Sequence, residues 1–296
     1  MTESRWELLR ALGAMADSPA DARTASAPLG LPCPDPAEHT DAFVLNCPPY
    51  AAVHLGPDGN LGGEAADRAA GFWRALGLPA PAEPDHLAAL LGLYACLGEA
   101  AAGTHRAAIR DALTRARTAL LAEHLWPWLP GYLDAVTDLG TAALPAWAAL
   151  TRRAITAEYT AAGLHRAPGG GLPLALRAAP PAVRPGGPLS DLLASLVTPA
   201  RSGFILSHAR LAQGAAHAGV GHRIGERRFT LRAMLEQDTP ATLSWLGGEA
   251  ERWSNRHASR VARDITSQWW SRRAARTASV LRAMAAGPAP TARSPR

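Results

Sequence analysis

An all-α fold is predicted for this 296-residue chain from three features. Its apolar content is mostly alanine and leucine, the apolar residues recur at helical spacing, and no stretch shows the alternation of a strand. A hydrophobic share of 48% is ample for a core, and the length suits one large domain or two small ones.

Ser4-Arg5-Trp6-Glu7 has the form of a capping box. Trp6, Leu9, Leu12 and Met15 then recur on one face, so a first helix opens the chain. Residues 17 to 38, rich in Pro, Ala and Asp, read as a loop or a broken helix. Pro48-Pro49 forces an extended entry and Gly56-Pro57-Asp58-Gly59-Asn60 is a tight turn, which sets Tyr50 between two rigid elements. The run from Glu64 to Leu76 carries Ala69, Phe72, Trp73 and Leu76 on one face and stops at Gly77. After Pro79, Pro81 and Pro84, Asp85 is placed as N-cap of a helix whose stripe is Leu87, Leu90, Leu91, Tyr94 and Leu97. A helix from Thr104 to about Leu125 is broken by Pro127 inside His124-Leu125-Trp126-Pro127-Trp128-Leu129-Pro130, and two more follow over roughly 131 to 143 and 145 to 161.

From Ala167 to Pro188 the chain turns to Gly-Gly-Gly, Pro-Pro and Pro-Gly-Gly-Pro, a composition that holds no helix and marks a boundary. Helical patterns resume with Leu192, Leu193 and Leu196, then Leu231, Met234 and Leu235, then Leu243, Leu246 and Trp253. The predicted organisation is a core over 1–165, a linker over 166–190, a basic helical segment over 191–285 and a disordered tail over 286–296.

Charge is distributed unevenly. All thirty basic residues are arginine, which reads as coding bias. Residues 35 to 99 carry nine acids against Arg68 and Arg74, a net −7, whereas residues 200 to 296 carry sixteen arginines and six acids, a net +10. An acidic island sits in a basic protein. The first ten residues contain acids and no apolar run, and nothing approaches the roughly 20 apolar residues of a membrane span, so a cytoplasmic protein is expected. Cys33, Cys47 and Cys96 are an odd set without a C-x-x-C pair and fit reduced thiols. Cys33, His39, Cys47 and His54 match no compact zinc spacing, and no metal is expected.

Enzyme chemistry finds little support. Asp85-His86 has the residue types of an oriented general base, but adjacent residues at a helix start point in different directions, and the alternative has Asp85 capping the helix with His86 packed in its first turn. No G-x-S-x-G turn is present, and the Gly-rich stretch 56–63 lacks a P-loop pattern and any lysine. No catalytic residue and no cofactor are assigned. Trp126, Trp128, Trp147, Trp245 and Trp253 lie in apolar helical contexts and are expected in the core. Trp269-Trp270 before Arg272-Arg273 fits either an interface or a docked terminal helix. The segment Gly219 to Arg228 is basic, and reads either as a contact for phosphates or an acidic protein or as a solvated loop opening the helix near Phe229.

Phe43-Val44, Pro48-Pro49-Tyr50, Trp73-Arg74-Ala75-Leu76-Gly77-Leu78, Glu83-Pro84-Asp85-His86-Leu87 and His124-Leu125-Trp126-Pro127-Trp128 occur in one order. That order resembles the TorD and DmsD family of cytoplasmic redox-enzyme maturation chaperones over roughly residues 1 to 165. The resemblance implies a TorD-like helical bundle, monomeric or domain-swapped, that binds the twin-arginine leader of an apo-molybdoenzyme catalytic subunit until its molybdopterin is inserted. It admits proteins of molybdenum-cofactor biosynthesis as further partners. It places the aromatic binding position on Tyr50, an apolar neighbour on Phe43 and the hinge pair on Asp85 and His86. Departures are Tyr50 where members often carry Trp, one residue fewer between Pro84 and Asp85, and His39 at a position where a tryptophan is expected.

A leader with two arginines and an apolar run needs carboxylates beside an apolar groove. Phe43, Tyr50, Trp73, Glu83, Asp85 and His86 are therefore the candidate peptide-binding residues, and Asp85→Ala and Tyr50→Ala are expected to weaken binding without unfolding the protein. A second class of function, a helical nucleic-acid-binding or regulatory protein acting through its arginine-rich C-terminal half, would show salt-sensitive binding by residues 190 to 296. Nucleic acid is the less favoured partner.

Overall fold

The computed structural model describes residues 3–164, 171–260 and 264–286, and among them the chain forms sixteen α-helices and no strand, as the composition predicts. Two compact units emerge. The first comprises Met1–Ala179 with Asp264–Thr266, and the second Pro180–Arg263 with Ser267–Arg296.

The first unit runs α1 (Glu3–Ala14), α2 (Pro19–Leu29), α3 (Pro36–Thr40), a π-helical stretch (Asp41–Asn46), α4 (Ala51–Leu55), α5 (Gly63–Ala75), α6 (Leu87–Gly103), α7 (Ala107–Ala119), a second π-helical stretch (Leu120–Leu125), α8 (Leu129–Thr137), α9 (Leu144–Ala161) and α10 (Leu174–Arg177). Its centre is the antiparallel packing of α1 on α6. Two glycines make the approach close: a Cβ on Gly13 would come within 3.0 Å of the Ala88 Cα, and Gly98 leaves room for the Trp6 indole. The predicted stripe of α6 is buried in full. Trp128 and Trp147 are fully buried and Trp126 nearly so, in the core where their contexts place them.

Some elements differ from expectation. The first helix begins at Glu3, one residue before the expected cap. Residues 17 to 38 contain a full helix, because Pro19 sits at the N-terminal turn where its missing N–H is harmless, Ser18 accepts from the Asp21 amide, and Gly30 closes the end at φ 64°. The helix expected to reach 143 stops at Thr137, ahead of Gly140 at φ 69°. Within the Pro/Gly-rich segment, the single turn of α10 forms because Glu123 accepts the Leu174 amide at 2.7 Å while Ala175 and Leu176 are buried. Beyond Ala286, the tail expected to be disordered lies outside the described residues.

The second unit runs α11 (Leu189–Val197), α12 (Pro199–Ser202), α13 (His208–Ala218), α14 (Arg227–Gln237), α15 (Thr239–Ala258) and, from Ser267 on, α16 (Ile265–Ala285). Gly203, at φ 83°, lies so close to α16 that a Cβ would come within 2.8 Å of the Ala274 Cα. Several arginines of this basic unit are engaged internally. Arg210 and Arg252 grip the buried Glu249, Arg273 donates to the Pro180 and Ala200 carbonyls, and Arg282 pairs with Glu251. Trp253 is fully buried and Trp245 largely so. No disulfide joins the three cysteines. Among the described residues no helix is long and apolar enough to cross a membrane, and no cluster of three His, Cys, Asp or Glu side chains is arranged to hold a metal ion.

Candidate functional site

Asp35 caps α3, its Oδ1 accepting the Ala37 and Glu38 amides at 2.8 Å, with Pro36 as the first helical residue. The helix then widens into a π turn, closed by the Cys47 amide on the Ala42 carbonyl at 2.7 Å. The extra residue in that turn changes which side chains face inward. Ala42 and Phe43 are buried with Asn46, while Val44 and Leu45 are 63% and 57% exposed. Phe43 packs between His39, at 4.8 Å between ring centroids, and Trp147, at 5.3 Å, and is itself only 3% exposed.

Pro48-Pro49 delivers an extended backbone to Tyr50, which forms an isolated antiparallel bridge with His86. The Leu87 amide donates to the Pro49 carbonyl at 2.8 Å and the Ala51 amide to the Asp85 carbonyl at 3.1 Å. Asp85 was expected to cap α6. It caps α4 instead, its Oδ2 accepting the Ala52 amide at 2.8 Å, because the bridge carries its side chain to the start of that helix. One residue thus satisfies two of the amides that α4 leaves unpaired. Burial raises the Asp85 carboxyl above the ordinary carboxylate range, against the lowering effect of the backbone amides it accepts.

His86 takes the capping position of α6, its Nδ1 accepting the Ala88 amide at 3.2 Å. An accepting Nδ1 carries no proton, so the ring is neutral with its proton on Nε2. Burial lowers its pKa despite Asp17, whose Oδ1 lies 3.6 Å from Nδ1. Both members of the pair are enclosed, Asp85 at 2% and His86 at 4% exposure. They hold the bridge between two helix starts, and neither presents a reactive atom to solvent.

The solvent side of this joint is made by other groups. The Tyr50 ring stands edge-on to His86 at 4.7 Å and remains half-buried. Burial, then the neighbouring Glu83 carboxylate, pushes its hydroxyl up to about 12. Glu83 is exposed and its carboxylate accepts from the Tyr50 hydroxyl, while the half-exposed Asp17 lies against the neighbouring His86. Trp73, at the end of α5, is half-buried and donates its Nε1–H to the Pro84 carbonyl at 3.4 Å. Tyr50, Trp73, Glu83, Asp85 and His86 are therefore brought together, and Phe43 lies apart from them in the core beside α9. Three groups escaped the sequence reading. Asp17 belongs to the loop after α1 and has no local signal. Val44 and Leu45 carry no signal of exposure in the sequence, and the π turn directs them outward.

Residues 36–134 match the family model described as nitrate reductase delta subunit. The match begins at the first residue of α3 and ends inside α8, spanning every sequence-predicted site residue. No curated protein and no solved structure matches the chain.

Proposed function

We propose that this protein holds the twin-arginine leader, or another segment of an apo-molybdoenzyme catalytic subunit, at the Tyr50 joint before cofactor insertion, a reading supported by the match of residues 36–134 to the nitrate reductase delta subunit family, a family of redox-enzyme maturation chaperones. The protein acts by binding and release rather than by catalysis.

The observation that carries this reading is the clustering of the Glu83 and Asp17 carboxylates at the joint of the half-buried Tyr50 and His86. Carboxylates at this position accept guanidinium groups, and the aromatic face offers them a stacking surface. Val44 and Leu45 are exposed apolar side chains a few residues upstream of Pro48 and suit the apolar run of a leader. Each exposed ion pair contributes about 1 kcal/mol or less, so the apolar and aromatic contacts dominate affinity. Asp85 and His86 act on the peptide only through the shape they impose on Tyr50 and Glu83.

Calorimetry of the full chain with a leader peptide of a client subunit tests this. Tyr50→Ala and Leu45→Asp are expected to weaken binding about tenfold or more, and Asp17→Asn with Glu83→Gln by about fivefold. Unchanged affinity in all these variants removes the assignment.

A further inference from the structure

The tip of the loop between α13 and α14 presents a large aliphatic side chain to water on a fixed frame. Gln237 clamps the loop base on both sides, accepting the Gly221 amide at 2.7 Å and donating to the Gly221 carbonyl at 3.0 Å. Thr230 Oγ1 donates to the Arg223 carbonyl at 2.8 Å, and the Phe229 ring covers Gly225 so closely that a Cβ there would lie 2.8 Å from its Cδ1. Arg227 donates to the Leu206 carbonyl at 3.3 Å and anchors the start of α14. With the backbone held, Ile224 is 92% exposed and Phe229 is 49% exposed. Around them residues 219–232 carry four arginines and one glutamate, with Arg223, Arg228 and Arg232 all exposed and Arg228 paired with Glu226.

We propose that this loop is a docking tip for an anionic lipid surface, with Ile224 and the edge of Phe229 entering the headgroup boundary and Arg223 and Arg232 contacting lipid phosphates. The dimensions favour a membrane over a protein. The apolar element is one or two side chains wide, far short of the roughly 800 Å² per partner of a stable protein interface, whereas an apolar wedge ringed by cations matches the layering of an anionic bilayer. Nucleic acid uses the arginines but leaves the aliphatic tip without a role. The proposal is independent of the peptide site and survives if that site fails.

Co-sedimentation of the full chain with vesicles tests it. Binding is expected to vesicles of equal parts phosphatidylglycerol and phosphatidylcholine, to be absent with phosphatidylcholine alone, and to weaken with salt. Ile224→Ser leaves net charge unchanged and, at so exposed a position, leaves the fold intact; it is expected to weaken vesicle binding about tenfold, as loss of one inserted aliphatic side chain requires. Arg223→Gln with Arg232→Gln is expected to weaken it further. Wild type that ignores anionic vesicles, or Ile224→Ser that binds them as wild type does, overturns the proposal, the latter by reducing the effect to general adsorption of an arginine-rich protein. Lipid-free self-association that Ile224→Ser abolishes assigns the tip to a second copy of the chain, and also overturns it.

Discussion

The Asp85 carboxylate accepts the Ala52 amide at 2.8 Å across 33 residues of chain, joining the entry to α6 to the start of α4. Asp85→Ala removes the cap and leaves a buried amide unpaired, so it is expected to destabilise the protein by about 2 kcal/mol in urea denaturation. A loss of that size weakens the fold without unfolding it, and any weakening of peptide binding by this variant acts through the shape of the joint. Because the folded carboxyl titrates above its ordinary range, the stability it contributes is greatest when it is protonated and declines as pH rises through the raised value. Wild-type stability relative to Asp85→Asn is therefore expected to fall from acidic to neutral pH. A relative stability that rises over this range refutes the assignment.

His124, tilted at 56° against Phe72 with 5.0 Å between ring centroids, is pushed down to about 4 by burial and then by Arg68. Its folded pKa lies below the unfolded value of 6.5, so the neutral ring favours the folded state above that value, and the advantage drains away as pH falls from 6.5 to about 4. His124→Gln is expected to remove about 2 kcal/mol of that acid-side loss, a figure below the full shift because the ring keeps some access to water. Thermal melting across this pH window measures it, and parallel profiles for wild type and variant count against the account.

The parts of the fold that were legible in the sequence are those fixed by local spacing. The stripe from Leu87 to Leu97 and the stop at Gly77 follow from one helical period and one left-handed glycine, and both are present. Trp128 and Trp147 needed only an apolar helical context to be placed inside. The site was legible in composition but not in arrangement. That Asp85 reaches Ala52 depends on a bridge between segments distant in the chain, and that His86 meets Asp17 depends on the packing of the loop after α1. The exposure of Val44 and Leu45 depends on a π turn, whose extra residue breaks the period on which inside and outside are read.

Gly98 in α6 faces the Trp6 indole, and a Cβ there would lie 2.5 Å from its Cζ2. The indole has little freedom to retreat, because it stands edge-on to Tyr94 at 6.3 Å and carries the Arg5 guanidinium at 4.1 Å from its centroid. Gly98→Ala is expected to cost about 1–3 kcal/mol, the overpacking penalty outweighing the gain in helix propensity. Gly214, held against Trp245 in the second unit at the same 2.5 Å to Cε2, is expected to behave alike, and the double variant to show additive losses by calorimetry. Gly92, where a Cβ meets nothing within 4 Å, serves as the control, and Gly92→Ala is expected to be neutral or stabilising.

Glu249 is buried in the second unit, and its carboxylate accepts from Arg252 Nε at 3.0 Å, Arg210 Nε at 3.3 Å and Trp253 Nε1 at 3.0 Å. Burial alone would raise its pKa, but the Arg252 and Arg210 hydrogen bonds outweigh it and hold the carboxyl below the ordinary range. A depressed carboxyl contributes stability that is complete above its unfolded pKa and is lost as pH falls through the folded one. Glu249→Gln keeps the shape and an acceptor for Trp253 but leaves two guanidinium groups facing a neutral amide, a loss of about 3 kcal/mol. Glu249→Leu is expected to cost at least as much, since the partly exposed arginines retain their charge while the tryptophan N–H loses its acceptor. Urea denaturation at neutral pH and below pH 4 separates these effects: the wild-type advantage over Glu249→Gln is expected to be large at neutral pH and to shrink in acid, and an advantage independent of pH contradicts the ion-pair account.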